Sequence, residues 1–318
     1  MTTSSTQNLN ACETCHGAQF SRICERQDGL TVWLCQNCGL QFINPIPDVA
    51  FLQELYERES KRGDSGIPYY QNYIRERQIR IQSYRRQYEK RLKLIEKLHP
   101  QKGKLLEIGC AGGFFLKTAK DQGWDPYGID IDSNFVKFAN DDMNLANVHC
   151  NTLENIRFEN NFFDAVILWD LIEHLPHPMQ SIKTLHSLLK KNGVLVIWTP
   201  NVKNAAFLKN KWYGYHISQH LYFFSTDSLK KMMAQAGFET VYQNTNKTKK
   251  AFLTAPGNNS FKAQNEPSSR AQKILRGLKR DIKNALNPIN SLSPLFDRMG
   301  YGFNLYMIFQ KKSDPVER

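Results

Sequence analysis

Four cysteines stand in two pairs, Cys12-x2-Cys15 and Cys35-x2-Cys38, with nineteen residues between the pairs. Two residues between thiolates let both turn onto one ion, and the overall spacing reads as a four-sulfur zinc site. Gly39, directly after the second pair, permits the tight turn that such a knuckle needs. A redox pair is the competing reading, but a single oxidoreductase-type CxxC is not duplicated at this spacing. With four thiolates and no open position the zinc is expected to be structural, leaving Cys24 and His16 as ordinary neighbours. A second chemical signal is Leu105-Leu106-Glu107-Ile108 closing on Gly109-Cys110-Ala111-Gly112-Gly113, followed by Tyr127-Gly128-Ile129-Asp130. An apolar run ending on small residues is a buried strand turning sharply into a helix, with backbone left bare for a ligand. Asp130 then falls at the carboxyl end of the neighbouring strand, where a carboxylate can accept ribose hydroxyls. Two further clusters, Glu173-His174 and Gln219-His220-Leu221-Tyr222, supply groups suited to general base work near neutral pH.

The glycine loop lacks the signatures of phosphate binding. A dinucleotide fingerprint needs glycine at its first, third and sixth places, where this chain has Gly109, Ala111 and Phe114. A P-loop needs Lys and Ser or Thr after its last glycine, and Phe114-Phe115 stand there. What remains resembles motif I of class I S-adenosylmethionine-dependent methyltransferases, with Glu107 before the loop and Gly109, Ala111 and Gly113 in its small-residue places. Ala111 departs from the usual glycine. The resemblance implies S-adenosylmethionine as cofactor, Thr152 and Leu153 against the adenine, and Asp170 beside the amino-acid part. Glu107, Gly109, Ala111, Gly113, Asp130, Thr152, Leu153 and Asp170 are therefore the expected cofactor residues. Among bases His174 comes first, because with Glu173 it lies in the loop after the fourth strand and resembling enzymes carry the same pair. The alternative, that His174 packs or caps that loop, stands beside it on equal terms. In resembling enzymes a Glu commonly precedes the His-Leu-Tyr-Phe-Phe run; here Gln219 does, which leaves proton transfer there to His220 or Tyr222.

The elements around these residues alternate as a doubly wound, mostly parallel sheet of seven strands requires. Ala165 to Asp170 and Val194 to Thr199 read as strands on either side of a helix from Met179 to Lys190, which buries Ile182, Leu185, Leu188 and Leu189. Tyr69 to His99 is a long basic helical stretch; it either supplies tyrosines to a lid or, more simply, packs through Ile74, Ile81, Leu92 and Ile95. Trp212 to Ser225 is rich in rings and reads as an aromatic substrate wall, with Phe223 and Phe224 in the core. Ser225-Thr226-Asp227 starts a helix that ends at Ala236-Gly237. The last strands are expected at Thr240–Asn244 and Asn304–Gln310, with roughly 55 residues between them, too many for a hairpin loop. The division is a zinc ribbon at 1–48, a helical lid or linker at 49–100, a methyltransferase core at 101–244 and 300–312, and a basic insertion at 245–299.

The chain has 318 residues, enough for one large core with attachments. No run reaches the eighteen apolar residues of a membrane span, and Met1 to Asn10 is polar, so a cytoplasmic protein with reduced thiols is expected. The net charge of +12 is compatible with nucleic acid, phosphorylated sugars or anionic lipid. Residues 270–286 form an amphipathic basic pattern that either docks on its own domain or makes peripheral membrane contact. From Cys12 to about Glu239 the chain resembles bacterial sugar C-methyltransferases and related small-molecule enzymes, including ubiquinone O-methyltransferases. That resemblance implies methyl transfer to oxygen or carbon of a sugar, glycan or lipid-linked precursor, with the ribbon covering the cleft. Two rivals remain at this point. One is an RNA methyltransferase, disfavoured by Trp169-Asp170-Leu171-Ile172 where base-amine enzymes carry a Pro-Pro motif; the other is a noncatalytic ribbon scaffold.

Overall fold

Apolar strands that are buried on both faces need cover on both faces, and the computed structural model supplies it with helices on one side and helices plus a small second sheet on the other. The structure describes residues 6–47, 51–52, 54, 67–246 and 295–312; the amphipathic stretch 270–286 lies outside them. The central strands are β6 (Lys104–Ile108), β7 (Asp125–Asp130), β8 (Val148–Cys150), β9 (Phe163–Trp169), β10 (Leu189–Pro200), β12 (Phe238–Asn246) and β13 (Asn304–Lys311). They form one seven-stranded sheet in the order β12-β13-β10-β9-β6-β7-β8, in which β13 is antiparallel to both its neighbours. Along β6, Leu105 enters one core and Leu106 the other, the two-residue alternation of a pleated strand.

The amino-terminal segment forms β1 (Thr6–Gln7), β2 (Phe20–Glu25), β3 (Thr31–Cys35), β4 (Gln41–Ile43) and β5 (Ile46–Pro47). Its main sheet is completed from far downstream. The short strand β11 (Tyr222–Phe223) pairs with β4, Tyr222 opposite Phe42 and Phe223 opposite Gln41, giving the order β11-β4-β3-β2. One hydrophobic core consequently runs without a break from Val32, Phe42 and Ile43 to Leu106, Leu168 and Leu229.

Several expectations needed correction. The basic stretch is two helices, α1 (Tyr69–Ile79) and α2 (Ile81–Leu98), separated at Arg80, whose φ of −111° and ψ of 21° leave the helical region. Leu92 and Ile95 are fully buried as read, but Ile81 at the break is 40% exposed. The aromatic run is not a wall: Trp212, Tyr215, Tyr222, Phe223 and Phe224 are buried between the ribbon and the main sheet. Helix α5 (Pro178–Leu188) stops two residues early, because Leu189 already pairs with Phe163 and the strand register shifts before Val194. Both final strands are longer than predicted and pair as adjacent antiparallel partners. Among the described residues no helix is long and apolar enough to cross a membrane.

The turn from β6 into α3 (Phe114–Asp121) uses left-handed backbone at Gly109 (φ 70°), Ala111 (φ 45°) and Gly113 (φ 71°). A Cβ on Gly113 would lie 2.5 Å from Leu145 Cδ1, so the missing side chain is needed for space as well as for φ. Ala111 bears a left-handed penalty of about 1 kcal/mol, which glycine would remove at a similar entropic cost. Gly113→Ala is therefore expected to lower unfolding free energy by about 2 kcal/mol, and Ala111→Gly to change it by less than about 1 kcal/mol. Chemical denaturation of the two variants checks this ordering.

Candidate functional site

The carboxyl ends of β6, β7 and β9 bring the expected cofactor residues to one edge of the sheet, where open α/β folds bind ligands. Asp130, the last residue of β7, holds the loop itself: Ala111 N–H donates to its Oδ2 at 2.7 Å and Asp132 N–H to its Oδ1 at 2.9 Å. Burial raises its pKa, and these backbone donors pull it back. Each oxygen has a second lone pair, so this grip leaves capacity for two hydroxyls. Asn151 N–H donates to Asp130 O, which draws Thr152 and buried Leu153 alongside.

Glu107, the last residue but one of β6, is only 4% exposed, and among the described residues its Oε2 has no hydrogen-bond partner. Burial and then the Asp130 charge push its carboxyl well above the usual range, while Arg91 and Arg77 act in the other direction. These arginines come from the amino-terminal helices. Arg91 lies 4.3 Å from the Trp169 ring centre and 4.6 Å from that of Trp198, and Arg77 lies 3.2 Å from that of Tyr73. Sequence reasoning passed over both as part of a basic helix, since the aromatic rings that hold them are distant in the chain. Asp170 follows β9 with φ 48°, its N–H bonded to Trp198 O at 2.7 Å, and its charge acts on Arg91 and Glu173.

Next comes a single 3₁₀ turn, Ile172–His174, against which the loop before β11 is docked. Leu221 N–H donates to Glu173 O at 2.8 Å, and the His174 and His220 rings meet edge to face with centres 4.9 Å apart. Glu173 is 1% exposed; Thr199 Oγ1 donates to its Oε2 at 2.9 Å, while Oε1 has no hydrogen-bond partner. Burial, then Asp170, raises the Glu173 carboxyl well above its ordinary value. His174 Nδ1 faces Gln219 O at 3.1 Å and His220 Nδ1 faces Gly214 O at 3.0 Å. Tyr222 is fully buried, and its hydroxyl donates to Pro176 O at 3.1 Å. Three of the four proposed catalytic groups are thus neighbours, while Tyr222 serves a backbone carbonyl behind them.

The four cysteines converge as well. Cys12 Sγ lies 3.5 Å from Cys38 Sγ, and Cys15 Sγ lies 3.4 Å from Cys35 Sγ. A tetrahedral zinc with bonds of about 2.3 Å has sulfur separations of about 3.8 Å, so the set fits one ion after a small expansion. His16 (φ 56°) and Gly39 (φ 80°) occupy the same left-handed place after each knuckle, which explains His16 as a turn residue. Cys24 stands outside the cluster.

This sheet order, with a left-handed glycine loop after its central strand and acids at two strand ends, defines a class I methyltransferase fold. A family model described as a methyltransferase domain matches residues 75–243, more than half of the chain, and the chain belongs to that family. It is 31% identical over 124 residues to the ubiquinone biosynthesis O-methyltransferase of Coxiella burnetii, covering 37% of this chain and 53% of that protein. It is 32% identical over 104 residues to the mitochondrial ubiquinone biosynthesis O-methyltransferase of Arabidopsis thaliana, covering 31% and 32%. The chain thus spans about half the length, or less, of these curated relatives. Among solved structures it is similar to a SAM-dependent methyltransferase from Archaeoglobus fulgidus, with 19% identity, TM-score 0.48, and coverage of 83% of this chain and 100% of that one.

Burial drives the His174 pKa from 6.5 down to about 4, against the opposing hydrogen bond to Gln219 O. A lowered folded-state pKa means that the stability linked to this ring is complete above about pH 6.5 and is lost as pH falls towards about 4. In ring-labelled protein the His174 Cε1–H resonance, assigned by its loss in His174→Gln, should stay at its neutral position down to about pH 5.5. A midpoint near the ordinary histidine value would show that the ring is solvated instead.

Proposed function

We propose that this chain transfers a methyl group from S-adenosylmethionine to a small-molecule acceptor, with an oxygen of a sugar, glycan or lipid-linked precursor as the leading target. The observation that carries the reading is Glu107, a buried carboxylate with one oxygen lacking a partner at the mouth of the loop. Leaving such an oxygen unsatisfied costs about 1–3 kcal/mol, and a cationic amino group arriving there removes that cost. Asp130 would accept ribose hydroxyls, Thr152 and Leu153 would flank the adenine, and Gly109, Ala111 and Gly113 would let the backbone approach. Asp170 would border the amino-acid portion. The bound cofactor supplies an electrophilic methyl group on a sulfonium.

The protein's remaining tasks are to orient the acceptor and to take its proton. Because His174 Nδ1 faces a carbonyl, which can only accept, the ring's proton stands on Nδ1, and Nε2 is the nitrogen that would take a proton from the acceptor. Glu173, held by Thr199, positions this turn. His220 borders the same space, and Tyr222 supports the loop through Pro176. The names of the curated relatives favour oxygen over carbon as acceptor atom. We assign the four-cysteine cluster to structural zinc, which would secure the knuckles of a ribbon that covers the site. A cytoplasmic setting, in which the cysteines stay reduced, completes the proposal.

Calorimetry with S-adenosylhomocysteine tests the cofactor half. Glu107→Gln and Asp130→Ala should each weaken binding at least tenfold, about 1.4 kcal/mol, whereas unchanged affinity would remove the assigned residue from the cofactor site. His174→Ala should keep that affinity while turnover falls about 100-fold or more, followed by transfer of an isotope-labelled methyl to a metabolite pool. Full turnover in His174→Ala would dismiss this ring as the base.

A further inference from the structure

Arg26 differs from the ribbon's other charged residues in that its side chain is buried, 1% exposed, and its hydrogen bonds reach the loop that carries His220. Asp28 takes Nε and Nη2 as a fork, and Leu30 N–H in turn holds Asp28, so the guanidinium is neutralised and aimed from within its own turn. The remaining donors point across the interface. Nη1 donates to His220 O at 2.6 Å and Nη2 to Ser218 O at 3.0 Å, while the carbonyl between them, Gln219 O, faces His174 Nδ1 at 3.1 Å. Three successive carbonyls are therefore divided, the outer two to Arg26 and the middle one to the His174 ring. The His220–Leu221 peptide group is held at both ends, since its carbonyl accepts from Arg26 and its N–H donates to Glu173 O at 2.8 Å.

Docking the ribbon does not require this residue. β4 pairs with β11, Tyr215 Oη donates to Gln41 Oε1, and Lys231 Nζ donates to Cys38 O at 3.2 Å. A buried guanidinium also bears a desolvation cost that a further apolar contact would not. We propose that Arg26 is a positioning residue for both histidines: its two-point grip on Ser218 O and His220 O sets the His220 ring against the His174 ring, 4.9 Å away, and leaves Gln219 O to His174. A charged donor polarises the peptide group it binds, which strengthens the donation of Leu221 N–H to the Glu173–His174 turn. The charge has a second effect. Burial and then His174 lower the His220 pKa against the bond to Gly214 O, and the Arg26 charge adds to them, so the ring beside the proposed base is held neutral. Lysine cannot reproduce this arrangement, because a single ammonium lacks the planar fork that serves Asp28 and two carbonyls at once. Only the consequence for turnover rests on the methyl-transfer reading; the positioning itself does not.

The test compares full-length, zinc-loaded wild type with Arg26→Gln and Arg26→Lys. In wild type, NMR should resolve separate, slowly exchanging Nη protons for Arg26, a readout that does not depend on the variants folding. In both variants the Leu221 amide should exchange about tenfold faster or more and the His174 and His220 ring signals should shift, while the amides of β3 keep their protection. Zinc content and affinity for S-adenosylhomocysteine should stay within about twofold, and labelled-methyl turnover at saturating S-adenosylmethionine should fall about tenfold or more. A freely rotating Arg26 guanidinium, unchanged Leu221 exchange and ring signals in a folded variant, or full turnover in either variant would overturn the assignment. Loss of β3 protection in step with Leu221 would overturn it as well, by showing that Arg26 only staples the ribbon. Wild type that transfers no label would count against methyl transfer instead, and the exchange and ring measurements would still decide the positioning.

Discussion

The backbone of one residue links the ribbon to the Glu173–His174 turn. Leu221 gives its N–H to Glu173 O, and its carbonyl accepts from Ile43 N–H at the end of a ribbon strand. Arg26, also from the ribbon, is 1% exposed at its side chain and spans Asp28, Ser218 O and His220 O. A buried guanidinium with this many acceptors is difficult to remove, because the carbonyls and Asp28 would be left unsatisfied in a dry interior. The four cysteines matter through the same route. Cys35 ends β3 and the second knuckle turns directly into β4, so the geometry of the sulfur cluster is passed to β11 and the His220 loop. The ribbon is therefore a wall of the site rather than a module attached to it.

A second consequence concerns charge. Glu107 is buried near the end of β6 and Glu173 in the turn after β9, with the charges of Asp130 and Asp170 acting on them. Arg77 and Arg91 are the counterweights, each steadied on aromatic faces by the helices that precede the sheet. Cation–π contacts of this kind, away from water, are worth about 2 kcal/mol each, enough to hold a guanidinium where a surface ion pair would not. The two amino-terminal helices thus contribute polar groups to the cofactor edge in addition to packing Leu92 and Ile95 against the sheet.

Much of this was legible in the chain. Strands buried on both faces produce apolar runs, the left-handed turn selects glycine, and cysteine knuckles have a fixed spacing, so these local constraints leave local marks. The rest depends on partners far away. β11 is a two-residue strand, too short for any period, and its ring-rich surroundings resemble a ligand wall until β4 is laid against them. Arg26 reads as one basic residue among many, although its acceptors lie 192 and 194 positions downstream. Asp130 was recognisable as an acid at a strand end, but its grip on Ala111 N–H follows only from the folded turn. The break at Arg80 has no proline or glycine to announce it; the helix is divided by the need for α1 to reach Phe135 with Tyr69, Tyr70 and Tyr73 while α2 stays on the sheet.

The base role proposed for the Glu173–His174 turn has a physical origin. Burial makes a negative carboxylate and a positive imidazolium both costly, so it moves the acid up and the base down until neither charge is favoured. A turn built only to pack would meet that condition with apolar side chains, since a buried polar set of similar volume is rarely the more stable choice. The polar set is retained here with a carboxylate oxygen lacking a partner and two rings whose tautomers are fixed by carbonyls. The Glu173 oxygen has capacity for positive charge, which a proton in transit nearby would supply. The ribbon contacts that bury Glu173 also preserve that capacity, because a solvated carboxylate would be satisfied by water and would have less to gain from a proton.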